Sequence, residues 1–219
     1  MKTMKGSSIL FICFLVFLCT SCWKSSDKPM DWGDYQTWLE DNEKSLKKEK
    51  EVNGLEITLA YLPSELLTYQ HLQTDGAAFS QQDYDSIYSK YRCGLTFDLV
   101  LQAPKNDPNY SNLIYYNISS QEEYTSRVYY LNFQASDILT LEVNDQLYIP
   151  VLTQFTGYQE LGNELRIRMV FSPDVYHCGD WKIDWRELQV VFKDPFWDVG
   201  TNRFSFDKHI ISDKPKLII

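Results

Sequence analysis

Apolar positions along this chain recur with two periods, one helical and one extended. Trp32, Tyr35, Trp38 and Leu39 fall at three- and four-residue spacing, which predicts a helix over residues 31–51 with one aromatic face. Its second half, residues 43–51, is almost wholly charged and reads as a solvated extension. Asn53-Gly54 closes it, with the glycine at the left-handed position after the last turn. Leu55, Ile57, Leu59 and Tyr61 then alternate with Glu56, Thr58 and Ala60, the pattern of a half-buried strand. Pro63-Ser64 stops that strand and opens a short helix through Leu67. Ser80 and Asp83 have capping-box spacing, and Tyr84, Ile87, Tyr88 and Tyr91 share the face of the helix that follows.

Leu95, Phe97, Leu99 and Leu101 mark the next strand, closed by Pro104. Residues 105–112 have the Asn, Asp and Pro content of a turn. Ser119 and Ser120, each with Glu three residues later, start a helix that runs to Phe133. Strands dominate from there. Residues 138–143 and 146–153 read as a hairpin about Asn144-Asp145. Leu165, Ile167, Met169 and Phe171 alternate with polar neighbours, as do Leu188, Val190 and Phe192, and Phe204 with Phe206. Residues 215–219 are expected to pair at a sheet edge. Seven or eight short strands with polar-out alternation predict an α+β fold: an antiparallel β-sheet or two-sheet sandwich in the second half, with helices in the first two-thirds. There is no internal repeat and no low-complexity tract.

The first residues follow neither pattern. Lys2 and Lys5 precede an apolar run over residues 9–19, and Thr20-Ser21-Cys22 follows. A basic start, a short greasy core and small residues make a secretory signal. The run is too short to cross a bilayer, which takes about 20 apolar residues. A cysteine directly after the small residues resembles the lipobox of bacterial lipoproteins. That resemblance implies cleavage before Cys22 and acylation of Cys22. Trp23 follows the cysteine where many inner-membrane lipoproteins carry Asp, so the resemblance points to the outer membrane. The division expected is a signal peptide at 1–21, a short tether at 22–30 and one globular domain at 31–219. Fully extended, the tether reaches only about 25 Å, so the domain sits close to the membrane.

The formal net charge of −9 changes the picture of partners. So acidic a chain is poorly suited to nucleic acid, whose phosphates need Lys and Arg. It is also repelled by anionic head groups, so the membrane link expected is the acyl chains on Cys22. Hydrophobic content of 44% gives the domain enough apolar residues for a core. Beyond the leader and Cys22, Cys93 and Cys178 remain. In an oxidising envelope they form one disulfide or stay as two buried thiols.

No catalytic, metal or cofactor motif occurs: neither G-x-S-x-G, nor H-E-x-x-H, nor a P-loop. The richest segment is residues 173–185, between two predicted strands, where Tyr176, His177, Asp180, Trp181 and Trp185 crowd together. It is a candidate ligand or partner loop, since exposed Trp and Tyr rings serve sugar faces and protein hot spots. Trp181 and Trp185, four apart, fit equally one helical turn packed on the sheet. Asp85-Ser86-Ile87 resembles the O-glycosylation signal of Bacteroidota-type envelope proteins, with Ser86 as acceptor. The three histidines, His71, His177 and His209, lie in distant segments. The expectation is a cell-envelope lipoprotein acting as a non-enzymatic binding or assembly component with an envelope protein partner. The alternative is a glycan-binding surface module, with a hydrolase third.

Overall fold

A computed structural model describes residues 28–74, 76, 78–103, 113–155, 164–172 and 187–219. Nine strands among them form two antiparallel sheets. The first contains β1 (Lys47–Val52), β2 (Leu55–Leu62), β3 (Leu95–Gln102), β6 (Leu152–Phe155) and β7 (Glu164–Phe171), in the order β1-β2-β3-β7-β6. The second contains β4 (Leu139–Val143), β5 (Gln146–Tyr148), β8 (Glu187–Lys193) and β9 (Thr201–Asp207), in the order β5-β4-β8-β9. Helices α1 (Trp32–Asp41), α2 (Glu43–Leu46), α3 (Ser64–Thr74) and α4 (Gln81–Tyr91) come from the first half. Helix α5 (Gln121–Phe133) and the short α6 (Lys208–Ser212) follow. The fold is α+β, with two sheets, as the alternation predicts.

Period-two alternation puts Leu55, Ile57 and Leu59 of β2, Phe97, Leu99 and Leu101 of β3, and Ile167, Met169 and Phe171 of β7 on one face, all essentially buried. They share one apolar core with Leu139, Leu141, Leu188, Val190, Phe192, Phe204 and Phe206 of the other sheet. Each such side chain contributes about 1.5–3 kcal/mol of transfer free energy. A second, smaller cluster joins α1, α3 and α4: Tyr35 and Tyr84 are buried there among Trp32, Trp38, Leu66, Tyr69 and Tyr88. The predicted aromatic face of α1 is therefore its packing face.

Three expectations are corrected. In the charged run over residues 43–51, Glu43–Leu46 are helical as α2, but from Lys47 the chain is a strand, β1, so the helical part ends before residue 51. Asn53 and Gly54 both take positive φ (52° and 80°), the two-residue turn that matches the strand twist of a hairpin and folds residues 47–52 back on β2. A run of Lys and Glu has no apolar period of its own, so the turn decides. Lys48 and Lys50 lie over the Phe206 and Phe204 rings of β9, at 5.8 and 5.2 Å from the ring centres. One side of the sandwich is thus closed by lysine stems and charge.

The predicted hairpin over residues 138–153 is real only as far as Tyr148, where β4 pairs with β5. Pro150, buried and without an N–H, ends the ladder. The chain then crosses to the other sheet, and β6 pairs with β7. Three linking residues can span about 10 Å, the spacing of packed sheets, so β5 and β6 edge the same side of the sandwich. Last, residues 215–219 do not extend a sheet. α6 turns the chain away from β9, and Leu217 is buried in the tyrosine cluster, bridged in parallel to Met30. The Met30 N–H donates to Lys216 O at 2.8 Å and the Ile218 N–H to Met30 O at 2.9 Å.

Candidate functional site

Ser120 caps α5 by accepting from the Glu123 N–H. The Ser119 N–H and hydroxyl donate to the Glu123 carboxylate and hold it below its ordinary value. Four residues on, Arg127 is only 8% exposed. It sits in the helix stripe that also buries Leu131. Its Nη1 donates to the carbonyls of Leu113, Ile114 and Tyr116 at 3.4, 3.0 and 2.6 Å. Its guanidinium carbon lies 4.6 Å from the centre of the Phe196 ring. The Arg127 Nε–H has no partner among the described residues, and burial pulls the guanidinium below its ordinary value. Arg127 is thus a buried cation held by carbonyl oxygens.

Phe196 is delivered by a tightly tied loop. The Asp194 carboxylate accepts from the backbone N–H groups of Phe196, Trp197 and Val199 at 2.7–3.0 Å. The buried Trp197 ring donates to Leu113 O at 2.8 Å. Between this loop and α5 runs a groove of about 700 Å³. Tyr129, Tyr130 and Phe196 supply rings, Asn117, Ser126 and Gln134 supply polar groups, and Arg127 adds its charge. Burial raises the Tyr130 hydroxyl, with Asp137 adding to the effect. Volume and lining match the general character of ligand sites, which are concave, largely aromatic and fitted with a few polar groups.

Two stretches of chain near α5 are free of charge. Residues 146–155 carry no charged side chain, and neither do residues 128–134 at the end of α5. Leu147 is 67% exposed, Ile149 69%, Leu152 57% and Phe133 72%. The Tyr129 and Phe133 rings lie 5.0 Å apart, and α5 packs near β6. Exposed large apolar side chains gathered on neighbouring elements mark candidate interaction sites.

A second chemical cluster lies under α3. Glu65 is 2% exposed, paired with Lys214 Nζ at 3.0 Å, and accepts from the Tyr88 hydroxyl at 3.1 Å. Burial, and secondarily the Glu65 charge, pushes the hydroxyls of Tyr35, Tyr61, Tyr84 and Tyr88 well above their ordinary value. A cavity of about 550 Å³ adjoins it, walled by Tyr84, Tyr88, Arg92 and the 216–218 strap. The carboxylate is committed to Lys214 and Tyr88, which makes it the pin for the C-terminal strap.

Of the residues singled out from sequence, Cys22, Tyr176, His177, Cys178, Asp180, Trp181 and Trp185 lie outside the described residues. Cys93 is disulfide-bonded, to a cysteine that also lies outside them. Ser86 is exposed on α4. His71 meets the Tyr91 hydroxyl and His209 meets Asp213, on separate elements. No group of three or more His, Cys, Asp or Glu able to hold a metal occurs among the described residues. No helix among them is long and apolar enough to cross a membrane. Sequence reasoning missed Arg127, Phe196 and Glu65. The available signal was position: Arg127 four residues before Leu131, and Glu65 directly after the strand stop at Pro63-Ser64.

No family model matches this chain, and no curated protein matches it. Solved structures it resembles include a DUF4426 family protein from Pseudomonas aeruginosa, with a TM-score of 0.34 and 9% identity over 74% of this chain and 93% of that one. Another is a protein of unknown function from Burkholderia pseudomallei, with a TM-score of 0.36 and 10% identity over 83% and 91%.

Proposed function

We propose that this protein is a bacterial envelope lipoprotein, anchored through acyl chains on Cys22, that acts as a binding or assembly component for a protein partner. The observation that carries the binding role is the set of exposed large apolar side chains on β5, β6, the crossing between them and α5, namely Leu147, Ile149, Leu152, Tyr129 and Phe133. Interface cores are depleted in charge and enriched in aromatic rings relative to the rest of a surface. The basic and apolar leader ending at Cys22 supports the anchor, and Trp23 after it supports the outer membrane.

Two measurements test this reading. Metabolic labelling with an alkyne fatty acid should mark the wild-type chain and leave Cys22→Ala unlabelled; equal labelling of both removes the anchor. A photo-cross-linking residue at position 149 or 152 should give one discrete adduct in cells, while the same residue at the charged position 51 gives none. Equal, diffuse adducts from all three positions remove the binding face.

Glycan binding is the second reading, favoured by Tyr129, Tyr130 and Phe196 around the α5 groove. Intrinsic fluorescence titrated with a polysaccharide panel should respond in the wild type and fail in Tyr129→Ala and Tyr130→Ala. No response in the wild type removes it.

A further inference from the structure

We infer that the groove beside α5 is a binding site for a small molecule bearing a carboxylate, and that Arg127 is the residue that meets the carboxylate. This goes beyond the protein-partner role and does not depend on it. A guanidinium has five N–H donors and a permanent charge. Nη1 of Arg127 donates to the carbonyls of Leu113, Ile114 and Tyr116. The Nε–H and the Nη2 hydrogens have no acceptor among the described residues. The charge is also unmatched. Buried charges in proteins are normally paired. Arg166 and Arg168 pair with Asp98, and Arg203 pairs with Glu142, although all three are far more exposed than Arg127. Arg127, at 8% exposure, makes no ion pair among the described residues.

The two acids whose charge reaches Arg127 are Asp194 and Glu123, and both are engaged elsewhere. The Asp194 carboxylate accepts from the N–H groups of Phe196, Trp197 and Val199, and the Glu123 carboxylate accepts from Ser119. They act on the cation through space without bonding to it. Arg127 is itself part of the groove wall. Tyr130 and Phe196 meet edge to face there, with ring centres 5.2 Å apart, and Tyr129 adds a ring that is 56% exposed. An anion in the groove supplies the missing acceptor as a charge-assisted hydrogen bond, the strong kind. Glu123 also lines the groove, so an anion with two charges meets more repulsion there than an anion with one. That favours a carboxylate over a phosphate group. The rings favour a flat or ring-bearing body behind it.

The test titrates the full-length chain in detergent micelles with sodium benzoate and, separately, with benzamide, the same ring without the charge. Sodium chloride holds the ionic strength constant. The readout is the side-chain N–H signal of Arg127 in chain labelled at arginine nitrogen, identified by its loss in Arg127→Lys. Benzoate should move that signal saturably and raise the melting temperature. The signals of Arg166 and Arg168, already paired with Asp98, should stay in place and report that the chain is folded. Benzamide should bind at least about tenfold more weakly, because it loses the charge-assisted bond. Ser126 is exposed and lines the groove. Ser126→Glu sets a like charge beside the ligand and should weaken benzoate far more than Ser126→Gln, which has the same bulk. An Arg127 signal that benzoate leaves unmoved overturns the proposal. So does an equal response to benzamide, which makes the groove a ring pocket without an anion site. Equal benzoate binding in Ser126→Glu and Ser126→Gln places the anion elsewhere and also overturns it. Each of these failures leaves the protein-partner reading to its own cross-linking test.

Discussion

Replacing Arg127 by Met keeps a stem of similar shape and removes the group that pins α5 to the turn before it. Ile114 O and Tyr116 O then lose donors at 3.0 and 2.6 Å. Leu113 O keeps the Trp197 ring at 2.8 Å and is spared. A hydrogen bond from a charged donor is worth about 1.5–3 kcal/mol, and the lost contact over Phe196 adds about 0.5–2 kcal/mol. Against this, the variant no longer holds a charge out of water, and that relief offsets part of the loss. The balance is a destabilisation of about 2–4 kcal/mol, or roughly 5–15 °C in melting temperature for a chain of this size. Urea unfolding should show a lower midpoint with an unchanged slope, because the surface exposed on unfolding hardly changes. Arg127→Lys should fall between the two, since one ammonium cannot reproduce the planar stack on Phe196. A loss below about 1 kcal/mol in Arg127→Met would refute the reasoning, because it would mean that water replaces the guanidinium at no cost.

Lys214→Met should cost about 3–5 kcal/mol by leaving Glu65 as an uncompensated buried carboxylate, whereas the double change with Glu65→Leu should recover much of that in chemical unfolding; a double variant no better than the single would argue against the pair. The buried tyrosines make stability fall at high pH. Their folded-state pKa values are raised, so the unfolded chain releases protons near the ordinary 10.0 while the folded chain keeps them. Urea midpoints should drop as pH rises through about 10, with a shallower drop in Tyr84→Phe; identical slopes in variant and wild type would sink this. Gly94→Ala should destabilise by about 1–3 kcal/mol, because its Cβ would come within 2.6 Å of Val170 Cγ1 and 3.0 Å of the Phe171 carbonyl, which is backbone and cannot swing aside. A melting temperature equal to the wild type's would show that the β3–β7 pair yields more easily than this packing implies.

The sequence alone determined which residues enter the core and in what kind of element. Alternation along β2, β3 and β7 and the three-four spacing of Trp32, Tyr35 and Trp38 are local consequences of backbone period, so they survive without knowledge of the fold. The caps at Ser80 and Ser120 are equally local and were legible. Pairing was not. Residues 47–52 carry no apolar period, and only the Asn53-Gly54 turn beside a partner strand made them β1. Residues 146–153 look like one strand, and only the position of the second sheet made them two, broken at Pro150. The candidate site lay further out of reach. Arg127 meets Phe196 across a long stretch of chain and the carbonyls of Leu113, Ile114 and Tyr116 across a turn of the chain, and Glu65 meets Lys214 across most of the sequence. Such contacts depend on which faces tertiary packing brings together, and no spacing along the chain encodes them. The edge places of β5 and β6 among the described strands are likewise a property of sheet order, which only the assembled sandwich decided.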